Sequence, residues 1–120
     1  METTIDREAL ARLRGLQDED EADIVAELAG MFLEDARSGL QTLEEALQKG
    51  DAPTVERAAH TLKGGSSSMG AKGLVGLCTQ LEDVGASGDL SPGSWLLEEI
   101  REELKRVDMA LEAEVYRERG

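Results

Sequence analysis

Aromatic side chains make up only 2% of this 120-residue chain, as Phe32, Trp95 and Tyr116. Such scarcity argues against a β-sandwich or barrel, whose strands favour aromatic and β-branched residues. A single cysteine, Cys78, leaves no intramolecular disulfide to form. There are only two prolines, Pro53 and Pro92, so long helices have room. Nowhere do 18 apolar residues run together, and Met1-Glu2-Thr3-Thr4-Ile5-Asp6 has no basic region leading into an apolar run. Both features predict a protein with no membrane contact, soluble and cytoplasmic. Lysine and arginine, 13 in all, are outnumbered by 26 Asp and Glu, for a formal net charge of -13. Excess carboxylate repels phosphate backbones, so no nucleic-acid partner is expected.

What is abundant is Ala, Leu, Glu, Arg and Lys, with 40% apolar residues recurring at helical period. This composition reads as one all-α domain, long enough to bury a single core without disulfides or metal. The spacing predicts helices over about 6–16, 19–49, 52–69, 71–84 and 92–118. Asp6 serves as N-cap of the first, which is short and carries Ile5, Ala9, Leu10 and Leu13 on one face. The acidic run Gln17-Asp18-Glu19-Asp20-Glu21 opens the second, whose apolar positions are Ile24, Val25, Leu28, Met31, Phe32, Ala36, Leu40, Leu43 and Leu47. Gly30 and Gly39 either bend that helix or mark close packing; one unbroken helix is the primary reading, a break near Gly39 the alternative.

Gly50-Asp51-Ala52-Pro53 combines a glycine stop with an Asp cap and a first-turn proline. Gly70 then separates the third helix from the fourth, with core face Leu74, Leu77, Cys78, Leu81 and Val84. Gly85-Ala86-Ser87-Gly88-Asp89 reads as a loop, and Ser91-Pro92 opens a last helix with Trp95, Leu96, Ile100, Leu104, Val107, Leu111 and Val115 inward. Short links imply an antiparallel up-down-up-down four-helix bundle, closed at one end by the short first helix. The lack of a second apolar face predicts a monomer.

One stretch does not obey helix propensity. Ala59-His60-Thr61-Leu62-Lys63-Gly64-Gly65-Ser66-Ser67-Ser68-Met69-Gly70 holds the chain's only histidine among glycines and serines that are poorer than alanine in a helix interior. At about 100° per residue, Val55, Ala58, Ala59, Leu62, Ser66 and Met69 form one stripe, and His60 lies roughly 200° from Leu62. The imidazole therefore points away from the core, on a face shared with Glu56, Arg57, Lys63, Gly64 and Ser67.

Several chemistries lack the residues they need. A lone His and a lone Cys are too few for a zinc site, and no Glu-x-x-His or histidine pair occurs. Ser67 is about 10 Å along the axis from His60, out of reach for a nucleophile–base pair. No nucleotide-binding glycine loop is present, and Cys78 fits the core as an inert thiol. Two readings stay open: a surface histidine near a seam of small residues, or an imidazole nucleophile. For the second, phosphoryl transfer suits so sparse a site, because positioning and charge compensation do most of the work. Lys63, three residues on, is placed for compensation, and Gly64 leaves room for a docking partner.

His60-x-Leu62-Lys63-Gly64, followed by Gly65, Ser66, Ser67 and Met69-Gly70, resembles the signature of histidine-containing phosphotransfer (HPt) domains, including the related N-terminal domain of chemotaxis histidine kinases. The resemblance extends to Cys78, Leu81, Glu82 and Gly85 and covers the chain from end to end. It implies a four-helix bundle that carries phosphate on His60, with Lys63 the neighbouring cation, Gly64 giving a partner clearance, and Gly65 with Ser66 allowing close helix packing. It implies exchange with aspartates of response-regulator receiver domains and supply from a sensor histidine kinase, with no cofactor of its own and magnesium on the receiver. At Glu82 many free-standing members have Gln, whereas chemotaxis-type domains tend to have Glu. A carboxylate there is suited to hold Nδ1–H and leave Nε2 free; the alternative is an ordinary solvated residue. Docking residues are expected at Glu56, Arg57, Lys63, Gly64 and Ser67, with part of the first helix. The competing functions are a phosphoacceptor domain of a chemotaxis-type kinase and a non-catalytic helical adaptor.

Overall fold

The computed structural model describes residues 4–15 and 24–119. Among them are five helices and no strand: α1 (Arg7–Arg14), α2 (Ile24–Lys49), α3 (Ala52–Ser68), α4 (Lys72–Ser87) and α5 (Gly93–Arg119). The expected acidic cap at 17–21 and the start of the second helix at 19 lie outside the described residues. None of the described helices is long and apolar enough to cross a membrane.

Local chemistry accounts for the helix ends. Asp6 caps α1, its side chain accepting from the Glu8 amide, and Asp51 caps α3, accepting from Thr54 N–H at 3.2 Å and from Thr54 Oγ1 at 2.6 Å. Those hydroxyl and amide donors hold the Asp51 carboxyl below its ordinary range. Gly50, Gly70 and Gly88 adopt φ of 70°, 71° and 82°, the left-handed region where helices end. α2 runs unbroken through Gly30 and Gly39, and neither has a neighbour within 4 Å of where a β-carbon would sit. They are therefore not close-packing sites.

α2 packs on α3 and α5, and α4 on α3 and α5, around a core that includes Val25, Phe32, Leu43, Val55, Leu62, Leu74, Leu81, Ile100 and Val107. α1 adds Leu10, fully buried, and is tied down by its own polar groups. The Asp6 amide donates to Gly70 O at 2.7 Å, Lys72 pairs with Asp6, and Arg7 pairs at 3.0 Å with Glu114, a carboxylate otherwise buried on α5.

Three sequence expectations are corrected. α4 does not stop at Val84: it continues through Gly85 to Ser87 and ends at left-handed Gly88, because Gly85 is buried against α3. Trp95 and Met31 are 63% and 61% exposed instead of facing the core. Each lies five residues before a core position, Ile100 or Ala36, and so about 140° round the helix from it. Leu97, and Gly93 against Leu47, take the inward places at the start of α5. α3 ends at Ser68, with Met69 its C-cap.

Candidate functional site

The outward face of α3 is set by its inward one. Val55, Ala59, Leu62, Ser66 and Met69 are buried, and Ala58 is half-buried, so residues 57, 60, 64 and 67 form the opposite, exposed crest. Ser66 tolerates full burial because its hydroxyl donates to Leu62 O at 2.7 Å within the same helix. On the α2 side, a β-carbon at Gly65 would sit 3.2 Å from the Phe32 ring, tighter than an ordinary contact, so α2 and α3 approach closely there.

His60 stands on that crest with its side chain 67% exposed. Its Nδ1 lies 2.9 Å from Glu82 Oε2 on α4, and Lys63 Nζ lies 2.6 Å from the other carboxylate oxygen, Oε1. One half-buried carboxylate thus spans both groups. The Lys63 ammonium, followed by the His60 bond, holds the Glu82 carboxyl below its ordinary value despite the opposing effect of partial burial. An ionised carboxylate only accepts hydrogen bonds, so the proton shared with Glu82 belongs to His60 Nδ1. Nε2 then carries the free lone pair, on the edge of the ring away from Glu82. Lys63 reaches no nearer partner than Glu82; the site is a carboxylate bridged between an imidazole and an ammonium.

The remaining expected docking residues are present on the same face but not in this network. Arg57 is exposed and donates to Thr54 Oγ1 at 3.3 Å, Ser67 is exposed, and Glu56 is half-buried where α4 crosses. Gly64 is exposed, with nothing within 4 Å of a β-carbon built on it, so the surface beside His60 is open. Burial pushes the Cys78 thiol up to about 12, as for a core residue with no nucleophilic role. Among the described residues no group of three or more His, Cys, Asp and Glu side chains is arranged to hold a metal ion.

Sequence reasoning placed Gly85 in a loop and missed its contact. A β-carbon at Gly85 would lie 2.6 Å from the Glu56 amide nitrogen, 2.8 Å from its Cα and 3.0 Å from Ala52 O. The signal was present as a seven-residue spacing of small residues, Ala71, Cys78 and Gly85, matched by Ala52, Ala59 and Ser66 at the same spacing.

The comparisons with known proteins bear on this arrangement directly. Histidine-containing phosphotransfer protein 5 of Arabidopsis thaliana is 34% identical over 76 residues, 61% of this chain and 48% of that protein. Histidine-containing phosphotransfer protein 2 of the same plant is 35% identical over 74 residues, 59% of this chain and 47% of the relative. The chain thus spans about half the length of the plant relatives it matches. The crystal structure of histidine-containing phosphotransfer protein B from Pseudomonas aeruginosa superposes with a TM-score of 0.85 at 33% identity, covering 95% of this chain and 96% of that one. The sequence model described as Hpt domain matches residues 27–110, which include the histidine, the ammonium and the carboxylate that joins them, and the chain belongs to the Hpt domain family.

Proposed function

We propose that this chain is a phosphorelay intermediate that carries a phosphoryl group on His60 between receiver-domain aspartates. The observation that carries the reading is the His60–Glu82 bond on an exposed, uncluttered helix face. With Nδ1–H held by Glu82, the Nε2 lone pair attacks the phosphorus of a receiver's aspartyl phosphate. The Nε2–P bond forms as the P–O bond to aspartate breaks, and the aspartate leaves as a free carboxylate. The ring becomes cationic, and the adjacent Glu82 carboxylate offsets that charge in the way a buried aspartate stabilises an imidazolium in a catalytic triad. Return transfer to a second receiver reverses each bond change. Lys63, one turn from His60, is placed to turn from Glu82 toward the phosphoryl oxygens.

The four longer helices are read as an antiparallel up-down-up-down bundle. In support, they are joined by the short connections 50–51, 69–71 and 88–92, and each contacts the two neighbours that this order requires. Glu56, Arg57, Gly64 and Ser67 frame His60 for docking. The partners are receiver domains and a sensor histidine kinase, the chain acts as a monomer, and the magnesium that phosphoryl transfer employs belongs to the receiver, this chain contributing no cofactor. Incubation with a phosphorylated receiver is expected to yield an acid-labile, base-stable phosphoprotein, and none with His60→Gln. Labelling of His60→Gln would overturn the assignment. Full receiver binding with no phosphate transfer, unaffected by His60→Ala, would favour the adaptor reading.

A further inference from the structure

Glu82 reaches His60 only if α4 lies close to α3, and what sets that spacing is a backbone contact one turn away. Gly85 is on the same face of α4 as Glu82, three residues on, and Glu56 is one turn before His60 on α3. There the α4 backbone meets the α3 backbone with no side chain between them: even a methyl group would lie 2.6 Å from Glu56 N, 2.8 Å from Glu56 Cα and 3.0 Å from Ala52 O. These are main-chain atoms of a helix and cannot move aside as a flexible side chain does. The rest of the seam keeps the same scale. Ala59, Ser66, Ala71 and Cys78 are all fully buried, and the Ala71 amide donates to Ser66 O at 2.9 Å. Bulk at Gly85 would therefore widen the end of the seam nearest the site.

We propose that Gly85 is a positioning residue for the phosphoacceptor: by letting α4 touch α3 at Glu56, it sets the reach that places one Glu82 carboxylate on both His60 Nδ1 and Lys63 Nζ. This rests on the reading of His60 as the acceptor. Gly85 touches neither imidazole nor phosphate and acts only through Glu82. Widening the helix spacing by the part of an ångström that a methyl group demands removes the 2.9 Å bond and leaves His60 free to place its proton on Nε2, which blocks the attacking atom.

The test reads the tautomer directly, in the unphosphorylated full chain, from the ¹⁵N shifts of the His60 ring above pH 7.5. Wild type is expected to hold the proton on Nδ1; Gly85→Ala is expected to shift it toward Nε2, as is Glu82→Ala, which removes the acceptor. Gly76→Ala is the control, since it lies on the same helix with nothing within 4 Å of its added methyl, and it should leave the tautomer unchanged. Acceptance of phosphate from phosphoramidate should fall by roughly tenfold in Gly85→Ala, short of the roughly hundredfold that misplacement by a full ångström costs. Should Gly85→Ala fail to fold, Glu82→Asp shortens the arm by one methylene at wild-type helix spacing and is expected to give the same tautomer shift. A wild-type tautomer in folded Gly85→Ala, or in Glu82→Asp, overturns the proposal while leaving His60 as acceptor. Phosphate uptake by His60→Gln would instead overturn the reading on which it rests.

Discussion

At the scale of single residues, the site depends on one carboxylate shared by two cationic or potentially cationic partners. Because Lys63 and His60 hold the Glu82 carboxyl below its ordinary value of 4.5, folding binds fewer protons at this group than the unfolded chain does. Its stabilising contribution is fully present above 4.5 and is lost as pH falls through the lower, folded value. The α3 cap Asp51 and Asp89, in the turn before α5, are shifted in the same direction, through hydrogen bonds from Thr54 and Ser91. Denaturant unfolding followed from pH 7 to pH 3 should therefore show stability falling at the acid end, with a shallower fall in Glu82→Gln. In Lys63→Ala, a ¹³C titration of the Glu82 carboxyl should move upward toward the ordinary value, since the largest cause of its depression is gone.

At the scale of elements, α1 and the α3–α4 turn act as a unit. Gly70 sits at φ 71°, and a β-carbon there would lie 2.7 Å from Asp6 O and 2.9 Å from Ala9 Cβ, while its own carbonyl accepts the Asp6 amide. Gly70→Ala combines left-handed strain with a collision against α1 and is expected to cost about 2–4 kcal/mol in denaturant unfolding. Hydrogen exchange should show the loss first in α1, whose eight residues make few contacts elsewhere and are too short to be stable alone. Exchange protection in α3 around His60 should change far less.

At the scale of the whole molecule, the apolar residues of all five helices form one continuous core, so unfolding should be cooperative by helical circular dichroism. Trp95 makes a poor reporter of that transition. Because it is 63% exposed, its native emission should already resemble that of solvated indole and move little when the core is lost. A strongly blue-shifted native emission would mean that the start of α5 packs differently. The formal charge of -13 spreads over solvated faces, notably the outer side of α5, where Lys105 pairs locally with Glu102. Such exposed pairs contribute little to stability and leave the core to provide it.

Much of the molecule was legible in the order of its residues because the forces concerned are local. Asp6, Asp51 and Gly50 mark helix ends through bonds to amides two or three residues away or through φ, and the buried stripe of α3 follows from 3.6-residue geometry, which alone turns His60 outward. The same geometry misled where a run of apolar residues was taken as one face: Met31 and Trp95 are hydrophobic but lie off it. What only the tertiary structure decided is what happens across helices. Glu82 is 22 residues from His60, and no periodicity states whether its carboxylate arrives at 2.9 Å or stays in solvent. That is set by how near α4 comes to α3, and hence by a glycine whose importance is the absence of a side chain at a backbone contact. A glycine in a sequence reads as a place where a helix ends; buried against Glu56, Gly85 is where two helices are allowed to meet.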